Sequence, residues 1–192
     1  MATAERASTG RGDGLALTRA SVLAALTLSV SACGGGAEAD IDNLRDSGAP
    51  LYWLGKEFEG LPLTHADERL LVYGSCEAKS DTGCAPPLEL QHWPLVQRHP
   101  SKFTIAPGTP TPCTRGTVGG TLVASFPTTG GLEVYVGRTV VVVFAEWLRS
   151  LRAVKALRAL DGTRTLPEPP KELETALARC EPGLRESSET YG

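Results

Sequence analysis

The sequence predicts an α+β fold: a mostly antiparallel sheet of five or six strands, one main helix packed on it, and short helices at either end. Residues 121–126, Leu132–Val136 and Thr139–Ala145 are rich in β-branched and aromatic residues, and short glycine-containing loops join them. This arrangement is typical of antiparallel strands. A helical pattern follows directly over residues 146–160.

The N-terminal part of the predicted domain has weaker patterns. Residues 38–48 predict a short helix, because Ile41 and Leu44 share one face and acidic residues crowd the first turn. Further strands are predicted at 51–54, 69–73 and 88–93. Residues 55–67 contain glycine and proline without a clear period, so we predict a loop there.

The C-terminal part contains the clearest signals. Residues 140–144 are all apolar and do not alternate, so both faces of this strand should be covered and the strand should lie centrally in the sheet. In the main helix, Trp147, Leu151 and Val154 share one face. A last helix is predicted at 171–179, and the polar residues 181–192 are expected to fray.

The first 33 residues have the order of an export signal. Arginines precede an apolar run over residues 20–30, which is too short for a membrane span of about 20 residues. The run ends in Val30-Ser31-Ala32-Cys33, which resembles the lipobox of bacterial lipoproteins. The resemblance implies that the Cys33 sulfur receives a diacylglycerol, that residues 1–32 are removed, and that the new amino terminus is acylated, for example with palmitate.

This resemblance sets the expected organisation and location of the protein. A cleaved signal peptide (1–32) is followed by the lipidated cysteine and a flexible tether (33–40), a single α+β domain (41–180) and a frayed tail (181–192). The protein should be held on the extracytoplasmic face of the cell membrane. The alternative is an ordinary secretory signal, because Val30-Ser31-Ala32 also fits the small-x-small cleavage pattern.

The charge of the chain argues against nucleic acid as a partner. The net charge is −3, and removal of residues 1–32 takes away three arginines and two acids, which leaves −4. A nucleic-acid-binding domain instead has a basic footprint. Arg149, Arg152, Lys155 and Arg158 recur at every third position of the main helix. They form either a basic ridge for anionic lipid or wall polymer, or an ordinary solvated face.

Five cysteines are present, and four remain if Cys33 carries lipid. An even number in an exported protein suggests disulfides, for which three pairings are open. Cys76 and Cys84 enclose a polar loop with a turn signal, so we pair them, which leaves Cys113 with Cys180. The alternative for Cys76 is a reactive thiol. The cysteine spacing does not fit the close pairs of a zinc site.

Candidate catalytic residues are few. The motifs of serine hydrolases, zinc proteases, P-loop enzymes and dinucleotide-binding enzymes do not occur, so we assign no catalytic residue, metal or cofactor. His65 stands near Asp67 and Glu68, and an imidazole beside a carboxylate can act as a base or a metal ligand. His92 shares a strand face with apolar residues, which is typical of a core histidine.

The sequence therefore predicts a membrane-anchored domain whose role is binding. The expected partner, besides the membrane, is an envelope protein or a small ligand, and Tyr52, Trp53 and Trp93 could line a groove or belong to the core. The alternative is an envelope hydrolase or metal-dependent enzyme that uses the loop containing His65, Asp67 and Glu68. At 160 residues the mature chain is too short for a two-lobed solute receptor.

Overall fold

The computed structural model describes residues 35–46, 48, 50–75, 85–106 and 109–184. Among them, the helices are α1 (Gly35–Asp46), α2 (Trp147–Ala156) and α3 (Lys171–Leu177), with a 3-10 turn at Pro100–Lys102. The strands are β1 (Tyr52–Trp53), β2 (Glu57–Phe58), β3 (Leu61–Ala66), β4 (Leu70–Tyr73), β5 (Leu88–Pro94), β6 (Thr104–Ala106), β7 (Thr109–Pro110), β8 (Thr114–Val118), β9 (Thr121–Ser125), β10 (Leu132–Val136), β11 (Thr139–Ala145), β12 (Arg158–Ala159) and β13 (Glu181–Leu184).

The main sheet has nine strands in the order β13-β8-β9-β10-β11-β5-β4-β3-β2. All neighbours are antiparallel except β13 and β8, which are parallel. Two short pairs, β1 with β12 and β6 with β7, form separate sheets. The α+β class and the mostly antiparallel pairing are as predicted. The predicted number of five or six strands was wrong.

The additional strands lie where the sequence lacks a strand pattern. Strand β3 occupies six residues of the predicted loop at 55–67, and its residues are mainly exposed or half-buried, so apolar alternation is weak. Pairing with β4, in which Leu63 opposes Tyr73 and Ala66 opposes Leu71, holds it in the sheet. Backbone hydrogen bonds to neighbouring strands therefore create β3, where local side-chain preference alone did not indicate a strand.

Strand β11 is the fifth of the nine strands, which confirms its predicted central position. The side chains of Val141 and Val143 join a core with α1, α2 and β1 on one face of the sheet. Those of Val140 and Val142 join a second core with α3 on the other face. The unbroken apolar run is therefore explained, because successive residues of a strand point to opposite faces and both faces are covered.

The main helix is shorter than predicted. It was expected over 146–160 but ends at Ala156, and Leu157 is already extended. Arg158 and Ala159 form β12 and pair with β1. The N–H of Leu160 also donates to the carbonyl oxygen of Leu51 at 2.9 Å. Pairing with β1 replaces the last helical turn. Leu157 and Leu160 are buried although both lie outside the helix, which accounts for their apolar spacing.

Two elements extend into segments that were predicted to be irregular. Helix α1 begins at Gly35, so part of the predicted tether at 33–40 is helical. Strand β13 occupies Glu181–Leu184, the start of the predicted tail, and lies parallel to β8. The predicted disulfide between Cys113 and Cys180 is present, with 4.7 Å between the Cα atoms. It joins the residue before β8 to the residue before β13, where the parallel pair begins.

Gly116 of β8 lies close to β13, and alanine there should destabilise the fold. A Cβ atom at this position would stand 1.8 Å from the carbonyl oxygen of Leu184. Gly116→Ala must therefore displace β13, and we expect a loss of about 1–3 kcal/mol in the free energy of unfolding, the usual range for overpacking. Thr117→Ala, at an exposed position of the same strand, is the control. Urea unfolding of both variants tests this, and equal losses would contradict the steric explanation.

Candidate functional site

Two adjoining clefts lie at the end of the sheet where β5 finishes and β11 begins. The first has a volume of about 330 Å³, and its lining includes Glu68, Arg69, His92 and Trp93. The second has a volume of about 480 Å³, and its lining includes Val96, His99 and Lys102. Pro94 and Arg138 line both clefts. We call the combined depression the Arg138 groove.

The fold explains how these side chains come together. Thr139 opposes Pro94 in the pairing of β11 with β5, so the β10–β11 turn that carries Arg138 lies beside the end of β5. The N–H of Leu95 donates to the Arg138 carbonyl oxygen at 2.8 Å and fixes the chain after β5 to that turn. Leu70 opposes Gln91 across β4 and β5, which places Arg69 beside the same strand end.

The groove is rich in positive charge. Arg69, Lys102 and Arg138 are exposed, and none of the three has a carboxylate within ion-pair distance among the residues that the structure describes. Glu68 is the acidic residue of the lining and is likewise unpaired within the described residues. The Arg138 groove therefore carries a local excess of positive charge on a chain whose net charge is −3.

Trp93 lines the first cleft, and its indole ring contacts two arginine side chains. The Arg69 guanidinium carbon lies 5.8 Å from the centroid of the indole ring, and that of Arg98 lies 5.5 Å from it. Arg98 is held by Glu133, with 2.6 Å between Nη2 and Oε1, so its charge is already neutralised. Arg69 instead rests on the indole by a cation–π contact, without a carboxylate partner in the described chain. The indole therefore holds the Arg69 guanidinium in place and leaves its charge able to pair with an anion.

The second cleft combines polar and apolar groups. Val96 is 69% exposed, the highest value among the large apolar residues in the described ranges. The His99 Nδ1 atom lies 2.7 Å from the Ser101 hydroxyl oxygen and also accepts from the Ser101 N–H. Because a main-chain N–H can only donate, Nδ1 is the acceptor and Nε2 carries the proton. His99 can therefore donate a hydrogen bond from Nε2.

His92 forms an inner wall of the first cleft and is 4% exposed. Its Nε2 lies 2.8 Å from the Tyr52 carbonyl oxygen, whereas Nδ1 is buried and has no partner among the described residues. The sequence predicted a core histidine on the face of Leu88 and Leu90, and these three residues are buried as predicted. Since Nδ1 is hidden from solvent, we assign His92 a structural role.

The buried imidazole should make stability depend on pH. Burial lowers the pKa of His92 from 6.5 to about 4, although the Tyr52 carbonyl acts in the opposite direction. Between about pH 6.5 and 4, the unfolded chain binds a proton at this position that the folded chain does not. The free energy of unfolding therefore has its full value above about pH 6.5 and declines as the pH falls toward 4. The loss over this range is on the order of 3 kcal/mol.

Urea unfolding at several pH values checks the effect of His92. His92→Gln should show a shallower decline than the unmodified protein between pH 6.5 and 4.5. His65→Gln, which changes a half-exposed histidine, should keep the steep decline. Identical pH slopes for the unmodified protein and His92→Gln would contradict the assignment.

The structure brings together only part of the predicted catalytic loop. His65 lies on strand β3 rather than in a loop, and its Nε2 is 3.1 Å from Asp67 Oδ2. Asp67 Oδ1 accepts the N–H groups of Arg69 and Leu70 at 2.7 and 2.8 Å, which is the geometry of a turn. Burial acts to raise the pKa of the Asp67 carboxyl, but the hydrogen bonds that it accepts act to lower it, and the net result is a lowered pKa. Glu68 has no hydrogen bond to His65 within the described chain.

The other predicted site residues have varied positions. Cys33, Cys76 and Cys84 lie outside the described residues, so their lipidation and pairing stay predictions. Tyr52 and Trp53 are buried core residues, whereas Trp93 lines the Arg138 groove. Three of the four cations that could form a basic ridge contact other side chains of the protein. Arg149 and Arg152 form ion pairs with Glu59, and Arg158 stacks on Trp53.

The described residues lack two features, a membrane-spanning helix and a cluster of metal ligands. No helix in these ranges is both long and apolar enough to cross a bilayer. No group of three or more His, Cys, Asp or Glu side chains in the same ranges could hold a metal ion.

The cations of the Arg138 groove carry no distinguishing pattern in the sequence. Arg69, Lys102 and Arg138 occur in three separate segments, far apart along the chain, and single arginines and lysines are common surface residues. The proximity of Arg138 to the end of β5 depends on strand order, and the sequence contains no signal for that order.

Comparison with known proteins adds no family to these observations. No protein-family model matches the sequence, and searches of curated proteins and of solved structures found no match. The function is therefore argued from the residues themselves.

Proposed function

We propose that this protein is a lipid-anchored domain on the extracytoplasmic face of a bacterial membrane, and that its role is binding rather than catalysis. The sequence Val30-Ser31-Ala32-Cys33 supports the anchor. The disulfide between Cys113 and Cys180 is compatible with an oxidising compartment outside the cytoplasm. Two acyl chains at Cys33 would contribute on the order of 20 kcal/mol of membrane affinity, so attachment would be stable.

The Arg138 groove is the observation that carries the binding role. It is a concave surface with an indole, an exposed aliphatic side chain and cations that have no carboxylate partner among the described residues, and these are groups that recognise ligands. A binding site needs complementary charge and shape, whereas hydrolysis also needs an activated nucleophile beside a base. Among the described residues, no serine, threonine or cysteine side chain forms a hydrogen bond with His65.

Mass analysis of the protein extracted from its own membrane tests the anchor. We expect a chain that starts at Cys33 and carries added acyl mass, and a peptide in which Cys113 is linked to Cys180. Cys33→Ser should release the protein from the membrane fraction, and Cys113→Ser should leave attachment unchanged. An unlipidated native chain in the soluble fraction would overturn the proposed anchor.

An envelope hydrolase is the second candidate. The contact between His65 and Asp67 at 3.1 Å favours it, because a carboxylate can orient an imidazole that acts as a base. A panel of ester, amide and phosphoester substrates should show no activity above that of His65→Ala. Hydrolysis that is lost in His65→Ala and retained in His99→Ala would replace the binding proposal with this one.

A further inference from the structure

We propose that the Arg138 groove binds a diffusible, elongated ligand that has two anionic groups, phosphate or carboxylate, separated by an apolar segment. This inference rests on the proposed binding function and names the ligand class. The two clefts share Pro94 and Arg138 in their linings, with Arg69 in one cleft and Lys102 in the other. A ligand that contacts all three cations would therefore span both clefts.

The charge distribution selects an anion. Three exposed cations and one acidic residue line the groove, although the chain as a whole is acidic. Since none of these cations has a carboxylate partner among the described residues, binding an anion would not require an existing ion pair to break. Guanidinium groups form bidentate hydrogen bonds with both carboxylate and phosphate, so both chemistries fit.

Arg69 is prepared for this role by its surroundings. Its guanidinium rests on the Trp93 ring, whose other cationic neighbour, Arg98, is fixed by the buried Glu133. The indole and Arg98 therefore form a support whose geometry does not depend on the ligand. Positioning Arg69 before binding reduces the conformational entropy that the complex would otherwise lose.

The apolar part of the ligand is inferred from Val96 and Pro94. Val96 is 69% exposed and lines the second cleft, and Pro94 lines both the cleft that contains Arg69 and the cleft that contains Lys102. A methylene segment over these side chains would remove apolar surface from water. An inorganic anion would leave this surface exposed, so the groove should prefer two anionic groups joined by methylenes.

Isothermal titration of the full-length protein, held in phosphatidylcholine nanodiscs at low salt, tests the proposal. The probes are adipate, a dicarboxylate, and hexane-1,6-diyl bisphosphate. We expect at least one probe to bind with a Kd below about 1 mM and more tightly than inorganic phosphate. The stronger probe identifies carboxylate or phosphate as the preferred group. No measurable binding of either probe would overturn the inference.

Variants locate the binding in the groove. Arg138→Gln should weaken binding of the stronger probe about tenfold, because a charge-assisted hydrogen bond is lost. Lys171→Gln removes one charge from an exposed position on α3 and should change the affinity less than about twofold. Glu68→Gln should strengthen binding about two- to threefold by removing a like charge. Equal effects of Arg138→Gln and Lys171→Gln would overturn the assigned location.

The Arg138 groove could instead contact the anionic headgroups of a membrane, and one further titration distinguishes this from binding of a diffusible ligand. Phosphatidylglycerol is added to the nanodiscs, and the bisphosphate or adipate titration is repeated. Retained binding supports a diffusible ligand, whereas binding abolished by the anionic lipid would mean that the groove contacts headgroups, which overturns the inference. These tests can fail without refuting the proposed anchored binding domain. That proposal would be retained if mass analysis finds lipid on Cys33 and crosslinking in intact envelopes captures a different ligand.

Discussion

Arg98→Leu is expected to lower the free energy of unfolding by about 3–5 kcal/mol, because it leaves the Glu133 carboxylate buried without its partner. Glu133 is 0% exposed. Arg98 donates to Glu133 Oε1 from Nη2 at 2.6 Å and from Nε at 3.2 Å, and the Tyr135 hydroxyl donates to Oε2 at 2.7 Å. Burial raises the pKa of Glu133 although Arg98 and Tyr135 act in the opposite direction. Loss of one of these hydrogen-bond donors should therefore destabilise the folded protein, because water cannot replace the donor at this buried carboxylate.

A double-mutant cycle measured by urea unfolding checks this expectation. Glu133→Leu alone should also be costly, because it leaves the Arg98 guanidinium largely buried and unpaired. The double variant Arg98→Leu/Glu133→Leu should be more stable than the sum of the single effects predicts, by at least about 2 kcal/mol. Tyr135→Phe should cost about 1–3 kcal/mol, since one carboxylate oxygen loses its donor. Additive single effects would show that the pair is not energetically coupled.

Loss of the disulfide between Cys113 and Cys180 is expected to cost about 4 kcal/mol. The bond closes a loop across a sequence separation of 67 residues, and constraint of the unfolded chain by such a loop contributes about 4.4 kcal/mol on the loop-entropy account. Both cysteines also belong to the second core, beside Leu173 and Leu177 of α3. Their removal therefore weakens packing at the start of the parallel pair of β13 and β8.

Urea unfolding of Cys113→Ala, Cys180→Ala and the double variant tests this prediction. All three should lose a similar amount of stability, because either single change removes the crosslink. The matched control is Cys76→Ala/Cys84→Ala. If these residues are paired as the sequence predicts, their nine-residue loop contributes about 2.5 kcal/mol, so the control should lose less. A larger loss in the control would contradict the importance that we assign to the longer loop.

Sequence patterns predicted the central elements of the fold well. The bounds of β10 and β11 are those predicted, and α2 follows β11 directly. The two strands bury most of their residues and α2 buries one face, so the spacing of apolar residues along these segments reflects which side chains are buried. Prediction failed for β3 and β13, whose side chains are largely exposed and whose backbone conformation depends on pairing with β4 and β8.

The candidate site was much less predictable than the fold. The sequence left Trp93 as either a groove residue or a core residue, but it did not indicate Arg69, Lys102 or Arg138 as groove residues. Each is an isolated cation in the sequence, and its significance depends on two other segments that lie nearby in space. The sequence left Arg149, Arg152 and Arg158 as either a basic ridge or a solvated face, and neither interpretation included the contacts that these residues make with Glu59 and Trp53.

The sequence by itself determined the local properties of this protein: the lipobox resemblance at Cys33, the buried central strand, and the amphipathic helix after it. These properties depend on neighbouring residues or on a fixed period along the chain. Only the tertiary structure decided the order of nine strands, the end of α2 at Ala156, and the meeting of Arg69, Lys102 and Arg138 in one groove. Those features arise from backbone pairing between distant segments, which side-chain periodicity does not encode.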